Sequence, residues 1–148
     1  MLNPDNIKKA INDFVEGCKF RFGQNLVSVV LFGSAARGTA KKYSDIDLVL
    51  VIDGLPRRRL DREDIVMDII LDVLKKYHIR ISPVLLESTE ISTKNLNPLI
   101  YGILTGYDVL YDPKGFWSSF LTKIKPIILK NKPIYIEDKK RWQIAHMI

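Results

Sequence analysis

The sequence predicts an α/β fold in which helices flank a small sheet. Two segments, Leu26–Phe32 and Ile46–Ile52, are rich in Val, Leu and Ile and are bounded by turn residues, which is typical of buried strands. Apolar residues recur at helical spacing before and after them. The 148 residues, 47% hydrophobic and 27% charged, suffice for one core and exclude a disordered or fibrous chain.

Proline and the hydrophobic periodicity define the other elements. Pro4 occupies a position that a first helical turn accepts. Pro83 removes a ladder donor from the third strand, which indicates a sheet edge or a bulge. Pro126 predicts a break in the last helix. The predicted helices cover residues 4–22, 60–77, 98–105 and 116–130, and further strands are predicted over residues 79–86 and 109–111.

The net charge of +6 is concentrated at the carboxyl end of the chain. Residues 113–148 carry eight basic and two acidic side chains, whereas residues 1–112 balance to zero. We therefore expect a main domain over residues 1–112 and a basic helical extension over residues 113–148. The extension could contact nucleic acid or an acidic partner, but lysines on a solvated helix are the favoured interpretation.

Several classes of protein are excluded by what the sequence lacks. The single cysteine, Cys18, excludes an internal disulfide framework and a cysteine-rich zinc site, and it favours a reducing compartment. The first residues lack the pattern of a secretion signal, and charges or turn residues interrupt every apolar segment before it reaches membrane-spanning length. We expect a cytoplasmic protein with no membrane partner.

A Gly-Ser pair follows the first strand. Gly33 and Ser34 lie where that strand is predicted to give way to a helix, and unpaired backbone N–H groups at such a point favour an anion. Glycine lets a phosphate approach the main chain, and the Ser34 hydroxyl can donate to it. Taken alone, the pair is more often an ordinary turn.

Two aspartates open the second strand. Asp45 and Asp47 are two positions apart, so their carboxylates point to one face. Two oxygen ligands on one side suit Mg²⁺, which commonly takes one or two carboxylates together with substrate phosphates. A solvated strand start is the alternative for the pair alone, but a phosphate site beside a metal pair indicates a nucleoside triphosphate site.

Two other phosphate motifs fail on the same residues. Gly33 and Gly38 have the glycine spacing of a P-loop, yet Thr39 and Ala40 occupy the positions of its Lys and Ser/Thr. A dinucleotide-binding fingerprint needs a third glycine that this stretch lacks.

The spacing Gly33-Ser34, ten residues, then Asp45-Ile46-Asp47 resembles the signature of the minimal nucleotidyltransferases of the polymerase-β-like superfamily. The sequence Ala35-Ala36-Arg37-Gly38 and Ser44 also match, and the resemblance covers about residues 26–112. It implies a nucleotidyltransferase fold with a small mixed sheet. It further implies transfer of a nucleoside monophosphate, most often AMP from ATP, to an acceptor hydroxyl. Many such proteins are similar to antitoxins that act beside a helical HEPN partner.

The resemblance assigns roles to the residues of the motif. Asp45 and Asp47 would be the catalytic, metal-binding pair for Mg²⁺. Gly33, Ser34 and Arg37 would bind the nucleotide, with Arg37 as a phosphate clamp, although a surface charge is the alternative for Arg37. Two loop lysines are further candidates, for which solvation is the favoured interpretation, namely Lys41 and Lys42.

One position departs from the pattern of the family. Catalytic members supply a third carboxylate from the next strand, and the matching place here is Ser82, which cannot act as a base or a strong Mg²⁺ ligand at neutral pH. Glu87 is predicted to lie about 16 Å from Ser82 along the strand, and Asp53 about 20 Å from Asp47, so neither is expected to replace the third carboxylate. An alternative function is therefore a weakly active or inactive module that regulates a HEPN-type partner. A nucleic-acid binder using residues 113–148 is a third hypothesis.

Overall fold

The computed structural model describes residues 4–39, 45–94, 96, 98–131, 134–136 and 141–143. The helices are α1 (Pro4–Phe22), α2 (Gly33–Arg37), α3 (Met67–Tyr77), α4 (Pro98–Leu104) and α5 (Phe116–Asn131). The strands are β1 (Leu26–Phe32), β2 (Ile46–Ile52), β3 (Ile81–Leu86), β4 (Tyr107–Tyr111), β5 (Ile134–Ile136) and β6 (Arg141–Gln143). Within these residues no helix combines the length and the apolar character that crossing a bilayer requires.

The main sheet is mixed and has the strand order β3-β2-β1-β4. Strand β1 is antiparallel to both β2 and β4, whereas β2 and β3 run parallel. The predicted bounds of α1, β1 and β2 are confirmed, as is the α/β class. Pro83 lies on an edge strand, which is one of the two positions that the sequence predicts for it.

Each face of the sheet packs against its own pair of helices. Core one joins one face to α1 and α3, and Phe14, Leu48 and Ile70 lie within it. Core two joins the other face to α4 and α5, and its members include Val49 and Trp117. The two cores are separate because side chains alternate along a strand, so that successive residues of β2 enter opposite cores.

The carboxyl-terminal segment differs from the predicted helical extension. Helix α5 continues through Pro126 instead of breaking there, and its buried residues Trp117, Phe120 and Ile124 anchor it on the sheet. Beyond α5 the helical prediction is wrong, because β5 and β6 pair as antiparallel strands. The sequence Ile-Tyr-Ile of β5 is β-branched and aromatic, which favours a strand. A domain boundary after residue 112 stays a prediction.

The predicted helix over residues 60–77 is shorter than expected. The structure has two short 3₁₀ turns, Arg59–Asp61 and Glu63–Val66, and the α-helix begins only at Met67. Between the turns lies Arg62, whose side chain is 7% exposed. It donates hydrogen bonds to the Pro56 carbonyl (2.7 Å), the Leu85 carbonyl (3.2 Å) and Glu90 Oε1 (2.6 Å). These long-range bonds fold the segment into turns.

We expect Arg62→Met to destabilise the protein by about 2–3 kcal/mol, because it removes three hydrogen bonds and leaves the Pro56 and Leu85 carbonyls without this donor. Arg59→Met is the matched control. Arg59 lies 3.5 Å from the same Glu90 carboxylate but is 71% exposed, so its loss should change stability by about 1 kcal/mol or less. Urea denaturation measures both values, and equal losses would show that Arg62 has no special structural role.

Candidate functional site

The centre of the candidate site is a contact between Gly33 and Asp47. The antiparallel register of β1 and β2 places Phe32 opposite Asp47, so the next residue, Gly33, turns against the Asp47 side chain. Gly33 has φ +73°, and a Cβ added there would lie 3.1 Å from Asp47 Cγ, with a carboxylate oxygen closer still. Glycine is therefore required both for its backbone conformation and for the space that the carboxylate occupies.

Ser34 is held in a short, closed turn beside that contact. Helix α2 has only five residues and ends at Gly38, which adopts the left-handed conformation with φ 74°. The Ser34 carbonyl accepts a hydrogen bond from the Thr39 N–H (2.8 Å), which fixes the turn, and Ser34 itself is half-buried. Ser34 therefore directly follows the glycine that packs against Asp47, at the first turn of α2.

Asp45 and Asp47 flank a fully buried isoleucine at the start of β2. Ile46 enters core one, so the residues on either side of it face away from that core. Asp45 is exposed and Asp47 is half-buried. Burial raises the pKa of the Asp47 carboxyl, the charge of Asp45 raises it further, and the charge of Arg37 lowers it. The two carboxylates and Arg37 therefore form one electrostatic group.

Arg37 is positioned by a contact with Gly106. A Cβ added to Gly106 would lie 2.7 Å from Arg37 Cγ, so the stem of the arginine rests on the glycine between α4 and β4. The side chain remains exposed, and its charge acts on Asp47. No local pattern indicates this role for Gly106, because the contact joins residues that are 69 positions apart.

Ser82 is the register neighbour of Asp47 on β3, in the place the resemblance assigns to a third carboxylate. The two nearest alternative acids act at the other end of the sheet. Glu87 accepts hydrogen bonds from the N–H groups of Gly54 (3.0 Å) and Leu55 (2.7 Å), and Asp53 accepts a hydrogen bond from the Ser88 hydroxyl (2.8 Å). Within the described part of the chain, no group of three or more His, Cys, Asp or Glu side chains could hold a metal ion.

Other chemistry-bearing residues lie apart from this site or outside the described residues. Lys41, Lys42, Ser44 and His146 belong to the residues that are not described. His78 is exposed and ends α3, where its N–H donates to the Leu74 carbonyl. Cys18 lies in core one, and burial raises the pKa of its thiol to about 12, so it is no nucleophile at neutral pH.

Two large grooves in the described structure lie elsewhere. One of about 840 Å³ is at the opposite end of the sheet, where Leu26, Asp53 and Tyr111 lie, and one of about 510 Å³ lies between α1 and α3. Neither contains a residue of the motif. We assign the site from the residues that converge on Asp47, because groove volume alone does not indicate chemistry.

Comparisons with known proteins identify the family of this chain. The sequence model of the family described as "Nucleotidyltransferase domain" matches residues 11–135. A Methanocaldococcus jannaschii protein named "Putative protein adenylyltransferase MJ1305" is 48% identical over 96% of this chain and 97% of its own length. A second from the same organism, "Putative protein adenylyltransferase MJ0604", is 36% identical over 62% of this chain and 84% of its own length.

Two solved structures are similar at lower sequence identity. A toxin-antitoxin crystal structure with AMP-PNP is 18% identical, covers 88% of this chain and 94% of that one, and has a TM-score of 0.48. A structure from Sulfolobus solfataricus, titled a "putative nucleotidyltransferase", is 21% identical, covers 76% and 92%, and has a TM-score of 0.46. Membership rests on the sequence matches: the chain belongs to the nucleotidyltransferase domain family, and the predicted class is confirmed.

Two glycines that share the left-handed conformation, Gly33 and Gly38, test the contact with Asp47. Ala at Gly33 or Gly38 should each destabilise the protein by about 1–2 kcal/mol, because both have positive φ. Only Gly33→Ala also displaces the Asp47 carboxylate, since nothing lies within 4 Å of a Cβ at Gly38. We expect a larger loss of thermal stability, and loss of Mg-ATP affinity, for Gly33→Ala alone. Equal behaviour of the two variants would contradict the contact.

The raised pKa of Asp47 predicts that the stability of the protein depends on pH. Folding favours the protonated form of this carboxyl, so its ionisation lowers stability as the pH rises above its ordinary value of 3.8. Without Mg²⁺ or nucleotide, Asp47→Asn should therefore be more stable than the wild type at pH 7. The difference should disappear below pH 3.8. Thermal melts from pH 3 to 8 measure it, with Asp53→Asn as a control that should show no gain. An Asp47→Asn protein no more stable than wild type at pH 7 would refute the argument.

Proposed function

We propose that this chain transfers AMP from ATP, with Mg²⁺, to a hydroxyl group of a protein acceptor. Membership of the nucleotidyltransferase family supports transfer of a nucleotidyl group. The choice of AMP and of a protein acceptor is supported by the name of the 48% identical relative, which matches almost the whole chain.

The observation that carries the proposal is the packing of the Asp47 carboxylate against Gly33. A phosphate held by the main chain at Gly33 and by the Ser34 hydroxyl would lie beside the acid pair. A polyphosphate and its counterion need this proximity, because the cation must contact both the carboxylates and the phosphate oxygens. If the glycine turn and the acid pair were close in the sequence only by chance, there would be no reason for them to be in contact in the folded protein.

The donor set fits Mg²⁺. Asp45 and Asp47 supply hard carboxylate oxygens, and the exposed position of Asp45 leaves room for water and phosphate ligands to complete the shell. The unfavourable proximity of the two carboxylates, which contributes to the raised pKa of Asp47, is the electrostatic condition that a divalent cation relieves. When bound, the ion would neutralise the phosphates and stabilise charge on the attacking and leaving oxygens.

The remaining residues would hold and orient the nucleotide. Ser34 donates its hydroxyl to a terminal phosphate oxygen, and Arg37, braced on Gly106, adds a positive charge on the same side. The acceptor oxygen forms a bond to the α-phosphorus, and the α–β bridging bond breaks with its electron pair on the leaving pyrophosphate. The acceptor proton passes to solvent water, because Ser82 is not a base at neutral pH.

A second candidate function is favoured by Ser82. Without a carboxylate beside Asp47 on β3, the chain could keep the fold and bind nucleotide while its role is to regulate a HEPN-type partner protein. Both functions use the same nucleotide site. They differ in whether a covalent AMP appears on an acceptor.

Calorimetry of Mg-ATP binding tests the site. We expect Asp45→Asn and Asp47→Asn each to weaken Mg-ATP at least about tenfold, because each removes a charged ligand of the cation. Asp53→Asn is the matched control, since this aspartate lies at the other end of β2 and accepts a hydrogen bond from Ser88. Equal affinity in the wild type and both site variants would remove the metal role of the pair.

The same proteins then distinguish the two functions. The wild type is incubated with a HEPN-type partner and with ATP labelled at either the α- or the γ-phosphate. Transfer of the α label alone, lost in Asp47→Asn, establishes adenylyl transfer. Tight binding of Mg-ATP without any labelled acceptor would favour the regulatory module.

A further inference from the structure

Arg80 immediately precedes β3 and faces the same side of the sheet as the acid pair. Its neighbours Ile79 and Ile81 are 3% and 2% exposed, and both belong to core one. Because side chains alternate along an extended chain, Arg80 points away from that core, and its side chain is exposed.

The register of β2 and β3 places Arg80 beside Asp45. Ile46 pairs with Ile81 and Asp47 pairs with Ser82 in the parallel ladder, so one step earlier Arg80 aligns with Asp45. The Ile46 N–H donates to the Arg80 carbonyl at 2.9 Å, which extends the pairing to this position. Arg80 and Ser82 thus border the acid pair along β3.

The Arg80 guanidinium is available for a ligand. Within the described part of the chain it forms no ion pair and no side-chain hydrogen bond, unlike Arg21, Arg58, Arg59 and Arg62, each of which pairs with a carboxylate. Although it aligns with Asp45, it is not engaged with that carboxylate. An unpaired arginine beside two carboxylates is suited to an anion that arrives at the site.

The two sides of β2 carry different chemistry. On the β1 side lie Gly33, Ser34 and Arg37, which the proposed function assigns to the nucleotide. On the β3 side lie Ser82 and Arg80. A nucleotide held on the first side leaves the second side open to the acceptor, and the short side chain of Ser82 leaves space next to Asp47.

We propose that Arg80 determines acceptor specificity by binding an acidic group close to the acceptor hydroxyl, so that the acceptor is an acidic peptide segment. This inference rests on the proposed function, since it takes the nucleotide side of the site as given. Arg80 is a substrate-binding residue in this account and moves no proton.

Two short blocked peptides test the proposal, Asp-Asp-Tyr-Asp-Asp and Lys-Lys-Tyr-Lys-Lys. Binding of each is measured by calorimetry to the wild type saturated with Mg²⁺ and α,β-methylene-ATP, which cannot transfer AMP. We expect the acidic peptide to bind and the basic one not to bind. Arg80→Gln should weaken the acidic peptide by about tenfold or more, as expected for loss of a charge-assisted hydrogen bond, while Arg80→Lys keeps part of the affinity.

Arg57→Gln is the matched control, because Arg57 is an exposed arginine in the segment that follows the other end of β2. The Arg57→Gln variant should bind the acidic peptide with the affinity of the wild type and, like the wild type, should not bind the basic peptide. The proposal is overturned if the wild type does not prefer the acidic peptide, if Arg80→Gln binds it unchanged, or if Arg80→Gln weakens the nucleotide instead. Titration of the nucleotide alone is a separate readout of the proposed function. If the nucleotide does not bind, the same peptides are titrated against the wild type and Arg80→Gln without nucleotide, and this titration still measures the role of Arg80.

Discussion

The arrangement of this site depends on the contact between the Asp47 carboxylate and the Gly33 main chain. It exists because the β1–β2 ladder pairs Phe32 with Asp47, so the chain must turn at Gly33 directly against the carboxylate. Ser34 and α2 follow from that turn. A shift of the register by one residue would reverse the faces of β2 and direct Asp47 toward core one, where an unpaired charge is strongly unfavourable.

The same contact makes the site a place of electrostatic strain. Asp47 is half-buried, has Asp45 as a neighbour of like charge, and is only partly compensated by Arg37. Elsewhere in the described structure, buried charge is paired, as in the hydrogen bonds of Arg62 to Glu90 and two carbonyls. The contrast is physically reasonable, because strain that a ligand can relieve is typical of a binding site, whereas strain in a scaffold has no such compensation.

The site is also asymmetric. The carboxylates lie at the start of β2. On one side, the turn that follows β1 supplies a hydroxyl; on the other lie Ser82 of β3 and Arg80, which has no side-chain partner among the described residues. In a nucleotidyl transfer reaction, the nucleotide and the acceptor must meet at one phosphorus atom. Because the β1 and β3 sides of β2 carry different residues, each substrate can bind on its own side of the carboxylates. Replacement of a carboxylate by Ser82 makes the β3 flank less acidic, which suits an anionic acceptor better than a cationic one.

Local pattern in the sequence determined the α/β class, the bounds of α1, β1 and β2, and the spacing of the glycine, serine and aspartates, because periodicity and turn residues act over a few positions. The tertiary structure alone decided how the rest is arranged. Arg37 rests on Gly106, Ser82 stands beside Asp47, and Arg62 folds the expected helix start into turns. Each of these depends on residues distant in the chain, and no local propensity encodes which distant residues will meet once the sheet has formed.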